Sequence, residues 1–198
     1  MKNNTKDNHR GRVPIKTDYC SVLFWAAGAF FAGRFFPFAF LSLLLHELGH
    51  LAAAVLCREQ IEYVVLLPFG LRIFSRNPGK RFQEAAVALS GPAVNLTAAL
   101  LARLCSDSDA ARLFALVNLI PALFNLLPLR LLDGGTVLAS LLGSFCKPQS
   151  IDKICGAVSA AVLFLLWTAA VYLLLTRGEG ASFLFLCFYL FAELFTFR

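Results

Sequence analysis

Apolar residues in this chain come in long blocks, without the one-sided periodicity or strict alternation that half-buried soluble elements show. Six blocks approach the roughly twenty residues that a membrane-spanning helix needs. They cover about residues 20–36, 38–57, 82–104, 112–141, 153–176 and 181–197. The first and last are short, and the fourth is broken by Pro121, Pro128, Gly134 and Gly135. Between the second and third blocks, residues 61–74 gather β-branched and aromatic side chains around Pro68-Phe69-Gly70. That pattern predicts a short hairpin or strand pair, with a plain loop as the alternative. The expected architecture is an α-helical polytopic membrane protein with about six transmembrane helices and a short cytoplasmic-face β-hairpin. No linker, repeat or low-complexity tract divides the chain, so residues 1–18 read as a polar cytoplasmic tail and 19–198 as a single six-span domain.

Composition agrees with the pattern: hydrophobic residues reach 59% and charged residues fall to 15%, where soluble domains carry about a quarter charged. The basic residues are distributed unevenly. One face of the expected topology collects Lys2, Lys6, Arg10, Arg12, Lys16, Arg58, Arg72, Arg76, Lys80, Arg81, Lys147, Lys153 and Arg198; the other holds Arg34, Arg103, Arg112 and Arg177, with Arg130 inside the fourth block. The positive-inside rule then puts both termini in the cytoplasm. Topology and anionic lipid account for the net charge of +6, so nucleic-acid binding is not required. The tail is too long and polar for a cleavable signal, and no small-residue cleavage site follows the first apolar block, so that block is expected to stay in the protein. Cys20, Cys57, Cys105, Cys146, Cys155 and Cys187 form no C-x-x-C pair and read as small buried hydrophobes. Cys57, just after the second block, is the one nearest to candidate chemistry.

That chemistry lies in His46-Glu47-Leu48-Gly49-His50, an ionisable cluster inside an otherwise apolar segment. On a helix, residues four apart share a face, so both imidazoles can reach one tetrahedral ion. In soluble zinc peptidases with H-E-x-x-H the glutamate is not a ligand: it takes a proton from the attacking water and passes it to the leaving amine. Charges in a membrane span cost a few kcal/mol each, and a bound metal would offset that cost. The competing reading is a pair of core histidines satisfied by neighbouring carbonyls.

A catalytic zinc site commonly uses three protein ligands and keeps a position open. His9 lies in the polar tail, Glu62 and Glu84 flank the loop after the second block, and Glu193 lies in the last block. Asp133, in Leu131-Leu132-Asp133-Gly134-Gly135, is the favoured donor because it is a lone carboxylate in an apolar run. Prolines before it bend the chain and glycines after it loosen the chain. Irregular backbone at membrane depth is tolerated around protein-buried or wet cavities. Counted at 1.5 Å per helical residue, His50 lies about 10 Å and Asp133 about 20 Å from the cytoplasmic edge, which overlap once kinks are allowed. The alternative for Asp133 is a helix cap. Asn125 could hold a substrate backbone or an oxyanion, or satisfy carbonyls freed by Pro128. Gly91-Pro92-Ala93-Val94-Asn95 reads chiefly as helix packing.

His46-Glu47-Leu48-Gly49-His50 followed by Asn125-x-x-Pro128-x-x-x-Leu132-Asp133-Gly134-Gly135 resembles the site-2 protease family of intramembrane zinc metalloproteases, and Gly91-Pro92-x-x-Asn95 looks like its third-helix motif. The resemblance implies one Zn2+ held by His46, His50 and Asp133, Glu47 as general base, and Asn125 with Pro128 shaping a substrate-binding loop. It implies a membrane-associated protein as substrate, inhibitory or regulatory membrane proteins as further partners, and a bacterial cell membrane as location. The layout without an inserted PDZ domain looks most like the group that contains the sporulation protease for pro-sigma-K. Leu131 stands where relatives often carry proline, and Thr136 where they carry arginine, which bears on loop detail and substrate preference. The chain stops soon after the sixth block, so no nucleotide-sensing CBS domain is expected. The rival readings are a membrane metallopeptidase with Glu84 or Glu193 as third ligand, and a zinc-stabilised scaffold or metal transporter.

Overall fold

The second apolar block forms α1, Phe36–Leu56, entered through a 3-10 turn at Gly33–Phe35. Pro37 sits in its first turn, where the missing N–H has no helical partner to lose. The chain has its fold described by a computed structural model over residues 15–17, 33–59, 61–67, 70–75, 81–178 and 181–196. The span expected at residues 20–36 therefore lies outside the described residues except for 33–36.

The faces of α1 are inverted relative to a soluble helix. Ser42, His46, Glu47, Gly49, His50 and Ala54 are buried, while Leu44, Leu48, Leu51 and Val55 face outward. Outward leucines beside inward small and polar residues suit a lipid surround, in which close packing and polar contacts replace the hydrophobic driving force. Among the described residues, three helices are long and apolar enough to cross a membrane: α1, α2 at Arg81–Cys105 and α5 at Pro148–Arg177. The final helix, α6 at Ala181–Thr196, carries a shorter apolar stretch, Ser182–Ala192.

Three strands precede α2 or flank its approach: β1 at Ile15–Thr17, β2 at Ile61–Leu67 and β3 at Gly70–Ser75. They form one sheet in the order β1-β2-β3. β2 and β3 pair antiparallel, with Val64 opposite Ile73 and Leu67 opposite Gly70; β1 pairs parallel to β2, with Ile15 opposite Val64. The polar tail thus contributes a strand, which its composition did not announce. β3 packs beside α1.

The fourth apolar block is two helices. α3, Asp109–Asn125, starts at Ser108, whose hydroxyl accepts a hydrogen bond from Ala111 N at 3.2 Å. It runs straight through Pro121 and ends four residues later, so the break belongs to the Pro128 region alone. α4, Asp133–Leu142, restarts after residues 126–132. α2 is central: α1, α3 and α4 all pack on it, while α5 touches α4 and α6. Leu129 in the break is buried with Leu163 of α5 and Leu190 of α6, and Phe124, Leu131 and Leu132 pack around them.

The break folds tightly onto α4, and the glycines there have a steric job. A methyl group at Gly135 would overlap Leu129 O and lie 2.9 Å from Arg130 Cα; one at Gly134 would overlap the Leu126 carbonyl. Backbone cannot give way as a flexible side chain would. Gly135→Ala is therefore expected to destabilise the protein by about 1–3 kcal/mol, as overpacking does, read as a lower thermal midpoint in detergent. A midpoint equal to that of the wild type would contradict this packing.

Candidate metal centre

α1 and the first residue of α4 bring three donors together. His46 Nε2 lies 3.1 Å from Asp133 Oδ2 and 3.1 Å from His50 Nε2, and His50 Nε2 lies 3.4 Å from Asp133 Oδ2. The imidazoles stand edge to face, with centroids 4.7 Å apart and planes at 84°. Both histidines and Glu47 are buried, and Asp133 is partly buried. The helix spacing supplies the histidine pair; the break before α4 supplies the carboxylate. A separation of 87 positions in sequence closes to hydrogen-bond distance.

Hydrogen bonding orients the site. His50 Nδ1 donates to Val87 O at 2.8 Å, which leaves the Nε2 lone pair turned to the cluster. α2 comes close enough to do this because it presents Gly91 to the rings. A methyl there would stand 2.6 Å from His50 Cε1 and 2.9 Å from His46 Nε2. Gly49 makes the reciprocal approach, since a methyl on it would lie 2.8 Å from Ser90 O and 3.1 Å from Gly91 Cα. One turn along, Ser42 Oγ donates to Val117 O at 2.9 Å and accepts from Asn95 Nδ2 at 3.4 Å, tying α1, α2 and α3 together. Ser42, Asn95 and Asn118 are each 2% exposed or less.

The donor set fits zinc. Two ligands at about 2.0–2.1 Å from a tetrahedral ion stand about 3.3 Å apart, and the three separations bracket that edge length. Two imidazole nitrogens and one carboxylate oxygen are also donors that zinc accepts. His46, His50 and Asp133 form one group whose donor atoms all lie within 4.8 Å of one another.

The other candidates sit elsewhere. Glu84, partly buried on α2, accepts from Ser140 Oγ at 3.4 Å and stands outside that group. His9 and the side chains of Glu62 and Glu193 lie outside the described residues. Asn125 is the last residue of α3, and Pro128 lies within the break between α3 and α4. Asn95 serves interhelical hydrogen bonding, alongside the packing at Gly91. Ser42, Asn118 and Ser159 were not singled out in the sequence. Each is a polar residue in an apolar helical run, the signal that could have found them.

Fold and site together define a polytopic integral membrane protein with a buried His-His-carboxylate centre of the metallopeptidase kind. Residues 108–166 match peptidase family M50. The chain is 31% identical over 161 residues to stage IV sporulation protein FB of Bacillus subtilis, covering 77% of this chain and 56% of that protein. It is 27% identical over 155 residues to a zinc metalloprotease of Methanocaldococcus jannaschii, covering 72% of this chain and 43% of that protein. The fold matches the solved site-2 protease from M. jannaschii with a TM-score of 0.69 at 22% identity, over 93% of this chain and 90% of that one. The chain belongs to the peptidase M50, or site-2 protease, family. It spans about half the length of the two sequence relatives. Membership implies zinc, in keeping with the donor set.

The packing at Gly91 gives a test away from the ligands themselves. Gly91→Ala is expected to weaken zinc retention about tenfold or more, the scale seen when the surroundings of metal ligands are disturbed, whereas Glu84→Gln keeps a full complement. Zinc analysis of the purified proteins reads both; loss of zinc in Glu84→Gln would revive it as a ligand.

Proposed function

We propose that this protein is a zinc-dependent intramembrane endopeptidase that cleaves a membrane-associated protein. The observation that carries the reading is the convergence of His46, His50 and Asp133 beside Glu47 inside an apolar helical bundle. In it, His46, His50 and Asp133 would hold one zinc ion, which would supply Lewis-acid polarisation of the scissile carbonyl and ease deprotonation of the attacking water near neutral pH. Glu47 accepts the proton from the attacking water and delivers it to the amide nitrogen as the C–N bond breaks. Protons balance with no further acid.

Asn125 and Pro128 shape the loop against which the substrate lies, and the Asn125 amide is suited to hold a substrate carbonyl or the developing oxyanion. A helical substrate must unwind first, because its own hydrogen bonds shield the carbonyl. Of the two outer strands of the sheet among the described residues, β3 packs beside α1, so an extended substrate segment can add to its edge. Six spans with both termini in the cytoplasm, and residues 19–198 acting as one domain, complete the proposed topology. Within this reading a pro-sigma factor is the particular substrate to try first, given the likeness to a Bacillus protein named for stage IV of sporulation.

The experiment compares wild type, Glu47→Gln and Asp133→Ala in detergent, against single-span and membrane-associated substrates including a pro-sigma factor. Expected are full zinc in Glu47→Gln with turnover reduced about 10²- to 10⁴-fold, the usual contribution of a general base, and zinc lost or weakened in Asp133→Ala. Wild-type turnover in Glu47→Gln would sink the proposed mechanism. Full zinc in Asp133→Ala would leave the third ligand elsewhere, and zinc without cleavage of any substrate would favour the scaffold or transporter reading.

A further inference from the structure

Residues 126–132 carry the chain from α3 to Asp133 outside any helix, so some of their backbone groups need partners from elsewhere. Two of them meet a single side chain of α5. Arg130 N donates to Ser159 Oγ at 3.0 Å, and Ser159 Oγ donates to Pro128 O at 3.4 Å. Ser159 is 1% exposed, so solvent does not compete for its hydroxyl. Two turns earlier on the same face of α5, Asp152 receives the side chain of the same loop residue, with Arg130 Nη2 2.7 Å from Asp152 Oδ1. From the opposite side the loop carbonyls of Leu126, Leu127 and Leu129 lie against Gly134 and Gly135. The loop is thus gripped between α4 and α5, and only Leu131 and Leu132 separate Arg130 from Asp133.

We propose that Ser159 is a positioning residue for Asp133: it fastens the 126–132 loop to α5, helped by the Arg130–Asp152 ion pair, and so sets where the carboxylate meets the two imidazoles. The inference rests on the zinc reading given above. Without the hydroxyl, one backbone donor and one backbone acceptor lose their partner in a surrounding with little water, and the loop must shift to find others. Leu132 and Asp133 follow, because Leu132 N is bonded to Leu129 O at 2.9 Å. A displaced carboxylate alters the ligand field and the hold on the metal, while the substrate edge at β3 is untouched.

The test uses full-length protein loaded with Co2+ in place of zinc, in wild type, Ser159→Ala, Ser159→Cys and Thr168→Val. Thr168 is also on α5, but its hydroxyl bonds Phe164 O within its own helix at 2.8 Å, so it controls for loss of a hydroxyl as such. Ser159→Ala is expected to shift the visible Co2+ bands and to weaken Co2+ retention about tenfold. Once a substrate is in hand, kcat is expected to fall about tenfold as the carboxylate is displaced. Ser159→Cys, which keeps the volume and a weak donor, falls between, and Thr168→Val matches wild type. A Ser159→Ala protein with the wild-type spectrum and retention overturns the proposal; if that variant does not fold, the same result in Ser159→Cys does so. Wild type that takes up no Co2+ contradicts the zinc reading and this inference with it. Normal uptake with unaltered Ser159 variants overturns this inference alone.

Discussion

Three lone-pair donors converge in an apolar bundle: Nε2 of His46, Nε2 of His50 and Oδ2 of Asp133 stand 3.1 to 3.4 Å apart. Bringing such groups out of water is costly, and placing them edge to edge is tolerable when a cation or shared protons lie among them. Much of the described helical fold follows from meeting this requirement. α1 turns its polar face inward, α2 yields space at Gly91 for the rings, and the chain gives up helical continuity before Asp133 so that a carboxylate can arrive from a distant part of the sequence.

Each concession is compensated locally. The close approach of α1 and α2 at Gly49 and Gly91 supplies the packing that an apolar solvent does not. The Val87 carbonyl, held near by the same approach, fixes the His50 ring. The break between α3 and α4 is covered by α5 and α6 through Leu163 and Leu190, and its polar groups are met by the Ser159 hydroxyl. The metal centre thus depends on α5 although no residue of α5 belongs to the donor group.

The features visible in the sequence were those with a local signature. Histidines four apart on a helix, a lone aspartate after a proline and before paired glycines, and long apolar blocks each state their geometry in a few consecutive residues. Proline number misled: Pro121 and Pro128 look alike in the sequence, yet α3 passes through Pro121, where the Val117 carbonyl that loses its N–H partner accepts from Ser42 Oγ, and breaks only near Pro128. The parallel pairing of Ile15–Thr17 with β2 depends on a partner about fifty residues away, as the register of Ile15 with Val64 shows, and polar composition conceals it. Ser42, Asn118 and Ser159 escaped notice for a similar reason. A single hydroxyl or amide in an apolar run has no pattern, and its importance comes from the backbone group that another helix brings to it.

Zinc K-edge X-ray absorption on the purified protein tests the central claim most directly, because it reads the donor atoms around the metal without needing a substrate. A shell of light atoms at about 2.0–2.1 Å with the multiple scattering of two imidazoles, and no sulfur at about 2.3 Å, is the expected result. Sulfur in the first shell, a single imidazole, or protein purified under metal-replete conditions without zinc would contradict a centre built from His46, His50 and Asp133.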